Sequence, residues 1–131
     1  MHKIFKVSTK AAIFNANKDK VIAIYINGRD AYGLPGGHIE DDETPDQAMA
    51  RELLEECGNV SDDLRHADFF IHSEGKLVLA YIGSSSVVEF KSQQNELEGK
   101  PMWLSQKEFA ATNIDKGYKD FVLNNWPKVN L

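Results

Sequence analysis

Apolar and polar positions alternate through the first third of the chain. Residues 3–14 alternate in this way and are rich in Ile, Phe and Val, which predicts a β-strand. The polar run at 15–19 predicts a turn. Residues 21–26 predict a second strand that stops at Asn27-Gly28, so the two strands form an early antiparallel hairpin. Residues 31–34 read as a short strand. Pro35-Gly36-Gly37 then marks a turn or a place where the backbone comes close to another group.

The period changes beyond this point. Residues 39–43 are expected to run extended into a helix, with Thr44 as N-cap, Pro45 at the first helical position and Gln47 closing a capping box. The helix is expected from Pro45 to Cys57, with Gly58 just past its end. Residues 64–71 and 76–83 predict two strands joined near Ser73-Glu74-Gly75, and residues 87–90 are expected to pair nearby. Residues 93–100 read as a polar loop and 101–104 as the last strand. Ser105 with Glu108 predicts a capped short helix through Ala111. Asp115 is expected to cap a C-terminal helix over 116–126, with Tyr118, Val122 and Trp126 apolar and Pro127 as the stop. The sum is a mixed sheet with one strongly signalled central helix.

The chemistry gathers in that helix, at Arg51-Glu52-Leu53-Leu54-Glu55-Glu56. Spacings of three and four place Glu52, Glu55 and Glu56 on one helix face, where like charges oppose the helix unless a cation joins them. A hard divalent ion removes that penalty, because Mg²⁺ prefers oxygen ligands. Taken alone, a Glu-rich face is more often solvated surface. The glycine pair upstream and the capped acidic start narrow the choice. Arg51 can reach Glu55 across one turn, and Leu54 and Cys57 are expected to supply apolar contact to the sheet.

The chain has 131 residues, which suits a single domain spanning 1–131. Its net charge of -5 argues against a long electropositive groove for nucleic acid. The single cysteine, Cys57, excludes an internal disulfide framework. No apolar run reaches bilayer length and no leader pattern is visible, so a cytoplasmic location without membrane partners is expected. His2, His38, His66 and His72 show no zinc spacing.

The segment from Gly37 to Gly58 resembles the signature of the Nudix hydrolases, of the MutT-like kind. The matching positions are Gly37, Glu43, Arg51, Glu52, Leu53, Glu55, Glu56 and Gly58, led in by Leu34-Pro35-Gly36. Two positions depart from the signature. Asn59 stands at its last aliphatic place, with Val60 following, and Asp42 stands where many members carry glycine. The resemblance implies an α/β/α sandwich around a central mixed sheet. It implies that Glu52, Glu55 and Glu56, with the carbonyl of Gly37, hold Mg²⁺, for which Mn²⁺ can substitute. It also implies that Glu43 and Arg51 pair to support the site. Glu96, or Glu98, is the candidate for a further carboxylate from a later loop, with Glu96 preferred. Which of Glu52, Glu55, Glu56 and Glu96 serves as general base stays open.

The implied activity is metal-dependent hydrolysis of a phosphoanhydride bond in a nucleoside diphosphate derivative. Markers that some relatives carry beyond the signature, a proline in ADP-ribose enzymes and a tyrosine in diadenosine polyphosphate enzymes, are replaced here by Glu74 and the stretch Gly75-Lys76-Leu77. This favours a (d)NTP yielding a monophosphate and pyrophosphate. The alternatives are ADP-ribose, a nucleoside diphosphate sugar, a dinucleoside polyphosphate, or nucleotide binding without catalysis. Lys6, Lys10, Arg29 and His38 are the candidate substrate contacts, and Phe5, Tyr25, Tyr32 and Phe70 could stack on a base. Trp103 and Trp126 are read as packing residues. A homodimer is the partner state family members often adopt.

Overall fold

The computed structural model describes residues 5–26, 28–58, 61–91 and 99–128. Its elements run β1 (Val7–Asn15), β2 (Lys20–Ile26), β3 (Ala31–Gly33), β4 (Gly36–His38), α1 (Pro45–Cys57), β5 (Arg65–Ile71), β6 (Leu77–Ser85), β7 (Lys100–Ser105), α2 (Gln106–Ala110) and α3 (Lys116–Asn124). The strands form one sheet in the order β3-β2-β1-β6-β5, with β4 paired to β1 and β7 to β2. The sheet is mixed. β1 runs parallel to β6 from Val7↔Leu77 to Asn15↔Ser85, and every other pairing is antiparallel.

The sequence of β1 explains its central place. Ala11, Ala12, Ile13 and Phe14 are consecutive and buried, so both faces of the strand are covered. On one face Ala12 and Phe14 pack with Val21, Phe109 of α2, and Tyr118, Phe121 and Val122 of α3. On the other, Ala11 and Ile13 pack with Ile22, Tyr81 and the Met49, Leu53 and Cys57 stripe of α1. Helices therefore flank the sheet on both sides, as the α/β/α expectation requires.

Several elements differ from the sequence expectation. At Pro35-Gly36-Gly37 the close backbone approach is the one of the two expectations that is found, and Gly36–His38 pairs with β1 as a short strand that was not expected. Gly36 sits at φ +139, and a Cβ on it would lie 1.9 Å from the carbonyl oxygen of Thr9. Only glycine lets the two backbones meet this closely. Residues 87–90 form no strand. Val87 and Phe90 pack instead against the α1-side core, where Trp103 Nε1 donates to the Val87 carbonyl at 3.1 Å. α3 ends at Asn124, before Trp126, whose ring meets Phe14 edge-on at 5.1 Å. Leu54, expected to face the sheet, is 43% exposed; Leu53, one helical step away, is the leucine buried in the α1-side core. Most of the expected loop at 93–100 lies outside the described residues. Among the described residues, no helix is long and apolar enough to cross a membrane.

Candidate active site on the carboxylate helix

α1 is set in place at its first turn. Thr44 Oγ1 accepts from the Gln47 N–H, and Gln47 Oε1 accepts from the Thr44 N–H, so the capping box is complete. Pro45 follows at the first helical position. At the far end Gly58, at φ +81, donates its N–H to the Leu53 and Leu54 carbonyls. Between these caps the helix lies against β1 and β4 and turns one acidic face toward Gly36 and Gly37.

Glu52 and Glu56 occupy that face. They are only 9% and 7% exposed, which is unusual for glutamates one turn apart. Glu56 Oε1 accepts from the Gly36 N–H at 2.9 Å. Burial pushes the Glu56 carboxyl up to about 8, and its hydrogen bond with Glu52 pushes the same way; the Gly36 N–H and Lys10 only partly oppose this. Gly37 makes room for the other carboxylate, since a Cβ there would stand 2.6 Å from Glu52 Oε1.

Arg51 ties the preceding loop to this face. Its Nε and Nη2 donate to the two carboxylate oxygens of Glu43, at 2.6 and 3.1 Å. Nη2 also reaches the His38 carbonyl at 3.1 Å, and Nη1 reaches Glu52 at 3.0 Å and Glu55 at 3.3 Å. The Arg51 bond, followed by the Glu40 N–H, holds the Glu43 carboxyl below its usual range. Neighbouring carboxylates raise the affinity of Arg51 for its proton in turn, Glu43 foremost.

Lys10 was one of several basic candidates, and the structure brings it to the site. Its Nζ donates to the Leu34 and Gly36 carbonyls at 3.3 and 3.2 Å. Burial lowers its pKa, against the pull of Glu56. A cleft of about 250 Å³ opens beside it, bounded by Ile24, Ile26, Leu34 and Glu56. A larger open groove of about 810 Å³, lined by Lys18, Lys107, Leu123 and Trp126, includes none of the signature carboxylates.

The other candidates are placed as follows. Lys6 is exposed, and its carbonyl accepts from Leu77; Arg29 is exposed in the turn after β2; neither lines the cleft. His38 is exposed, with Nδ1 3.3 Å from Ser8 Oγ. Tyr25 and Tyr32 meet edge to face with centroids 5.3 Å apart, and Phe70 packs on Tyr118 and Phe121. Glu96, with Glu98, lies outside the described residues. The apolar wall of Ile24 and Ile26 was not anticipated, because alternating strand residues carry no mark of facing a cleft rather than a core.

Among the described residues, no group of three or more His, Cys, Asp or Glu side chains converges as a ready-made ion cage. Glu55 is turned toward Arg51. The donor chemistry nevertheless fits a hard divalent ion. Two buried carboxyl groups face each other beside the carbonyl-bearing backbone of Gly37, where a bound cation would take the place of the proton that burial favours on Glu56. Mg²⁺ is commonly held by one or two carboxylates, with waters and substrate phosphates completing the shell.

Known proteins match the chain both in sequence and in fold. The family model described as the NUDIX domain matches residues 5–124. The chain is 29% identical over 120 residues to the m7GpppN-mRNA hydrolase of Saccharomyces cerevisiae, covering 88% of this chain but 12% of that protein. It is 36% identical over 81 residues to the RNA pyrophosphohydrolase of Vibrio vulnificus, covering 62% of this chain and 40% of the relative. The chain thus spans a minor part of these relatives. Among solved structures, MutT from Bacillus halodurans superposes with a TM-score of 0.72 at 22% identity, covering 97% of this chain and 86% of the other.

Proposed function

This chain belongs to the Nudix hydrolase family, and from that premise we propose that it hydrolyses a phosphoanhydride bond in a nucleoside diphosphate derivative, with a (d)NTP giving the monophosphate and pyrophosphate as the preferred substrate. The observation that carries this reading is the buried Glu52–Glu56 pair, opened toward substrate by Gly37 and locked to its loop by Arg51.

In this reading Glu52, Glu55, Glu56 and the Gly37 carbonyl hold Mg²⁺ or Mn²⁺, with Glu96 as a further ligand. Once bound, the ion polarises a phosphoryl oxygen and neutralises charge on the departing phosphate. The protein's own groups do the rest. A carboxylate takes the proton of the attacking water, whose oxygen bonds to the α- or β-phosphorus as the bridging P–O bond between them breaks and its electron pair leaves with pyrophosphate or with the nucleoside monophosphate respectively. Arg51 and Glu43 keep the loop from drifting, so that the carboxylates stay at attack geometry. The Gly36 N–H fixes Glu56 from the sheet side.

A second reading is a triphosphate or cap at an RNA 5′ end, favoured by the names of the two relatives above. The excess of acidic over basic residues, 20 against 15, disfavours a long RNA track. The test is a panel of nucleoside triphosphates, ADP-ribose, nucleoside diphosphate sugars, dinucleoside polyphosphates and an oligonucleotide in 5′-triphosphorylated and capped forms, with products resolved by ion exchange. Pyrophosphate release from a free nucleotide supports the first reading. Preference for the oligonucleotide supports the second. Cleavage of none of them contradicts both.

A further inference from the structure

Lys10 stands where the proposed metal-holding carboxylates meet a cleft with one apolar wall, and its surroundings are poor for an anion. Its ammonium already donates to the Leu34 and Gly36 carbonyls. Those oxygens and the Glu56 carboxylate are acceptors that repel phosphate, and Lys10 is the one basic residue lining this cleft among the described residues. The remaining wall is Ile24 and Ile26. These β2 residues lie on the α1 side of the sheet, and Gly33 opposite Ile24 adds no bulk. Tyr118 closes the other side of the lysine, with Nζ 5.8 Å from its ring centroid.

A flat heterocycle fits this setting. Its faces can rest on isoleucine, and its edge can meet an ammonium flanked by carbonyl oxygens. The edge that matches is a ring carbonyl beside a ring N–H. The carbonyl accepts the remaining Lys10 proton, and the N–H donates to a backbone carbonyl already held there. An amino group in place of that carbonyl sets N–H against N–H, and the neighbouring ring nitrogen sets a lone pair against an oxygen. The cleft adjoins Glu56, so a substrate whose phosphates are held at the carboxylates can place its base here.

We propose that Lys10 reads the nucleobase, selecting substrates that present a ring carbonyl to the cleft (guanine, hypoxanthine, uracil or thymine) over those that present an amino group there. This rests on the nucleotide-hydrolase reading above and adds the class of base.

The test uses matched pairs that differ at this one position, ITP against ATP and UTP against CTP. kcat/KM is measured for the wild type, Lys10→Met and Lys10→Gln, each shown to be folded by circular dichroism. The wild type is expected to favour the carbonyl member of each pair by about tenfold, the effect of one hydrogen bond to a charged donor. Lys10→Met should bring the ratio near one, chiefly by slowing the carbonyl member. Lys10→Gln, which offers both a donor and an acceptor, should fall between. Equal turnover of the pairs by wild type overturns the assignment. So does an equal loss for both members in Lys10→Met, which would place the lysine on the phosphate chain. Absence of turnover with all of these nucleotides counts against the hydrolase reading instead. Calorimetric binding of the same pairs then decides, with a carbonyl preference lost in Lys10→Met supporting the assignment and equal affinities overturning it.

Discussion

The Arg51 guanidinium grips Glu43 with two parallel hydrogen bonds, Nε to Oε2 at 2.6 Å and Nη2 to Oε1 at 3.1 Å. The same side chain holds the His38 carbonyl and the Glu52 carboxylate. One residue therefore joins the glycine loop, the acidic loop and a proposed ligand. Lysine cannot reproduce a planar fork. Arg51→Lys is expected to lower kcat/KM by about 10- to 100-fold, the usual cost of losing a group that orients ligands, while the protein stays folded. Steady-state kinetics beside a thermal melt check this; unchanged kcat/KM would show that the grip does not matter to turnover.

The two glycines should fail differently. A methyl group at Gly37 meets only the end of the Glu52 side chain, which can swing aside. Gly37→Ala should therefore fold and lose most activity. A methyl group at Gly36 meets the Thr9 backbone at 1.9 Å, from a backbone conformation that L-residues avoid. Gly36→Ala should lose stability, by about 1–3 kcal/mol or more. Denaturant melts of both variants, with activity at saturating Mg²⁺, separate the two outcomes.

Adjacent leucines give a sharper contrast. Leu53 is 3% exposed and packs in the α1-side core, whereas Leu54 is 43% exposed. Leu53→Ala should cost about 2–5 kcal/mol, and Leu54→Ala should fall within about 0.5 kcal/mol of wild type. Urea titration decides, and equal losses would contradict this placement of α1.

A pH effect is expected away from the site, at Asp63. Burial raises its pKa, but hydrogen bonds from the Ser84 N–H, Ser84 Oγ and Ser61 Oγ outweigh that and hold it below the ordinary 3.8. A depressed carboxyl stabilises the fold above its unfolded pKa and loses that contribution as pH falls through the folded value. Asp63→Asn should therefore melt at a lower temperature than wild type at neutral pH. The gap should close as pH falls below 3.8. A gap that is the same at both ends would contradict this role.

Much of this molecule is legible in its sequence, for reasons that differ from place to place. α1 is readable to the residue because its signals are local: Thr44, Pro45 and Gln47 at one end and Gly58 at the other. The Glu43–Arg51 pair follows from the family resemblance, and the structure forms it. Pairings set by tertiary contact are not readable in this way. Gly36–His38 becomes a strand only because β1 lies beside it, and residues 87–90 lose their strand to packing against α1 and Trp103. The expectation for Leu54 overlooks the spacing of four through Met49, Leu53 and Cys57, which marks Leu53 as the buried leucine. Lys10 could be named as a basic residue on an early strand. Its closeness to Glu56 depends on β4 lying antiparallel to β1, which brings Gly36 opposite Lys10.

The most direct test of the central claim is Mg²⁺-dependent release of pyrophosphate from a nucleoside triphosphate, measured for wild type and Glu56→Gln across a metal titration. Wild type is expected to turn over only with Mg²⁺ or Mn²⁺. Glu56→Gln, which keeps the size of the side chain and removes its charge, should lose activity by about a hundredfold or more at every metal concentration. Turnover by Glu56→Gln equal to wild type, or turnover undiminished by chelator, would contradict the assignment of catalysis to this carboxylate face.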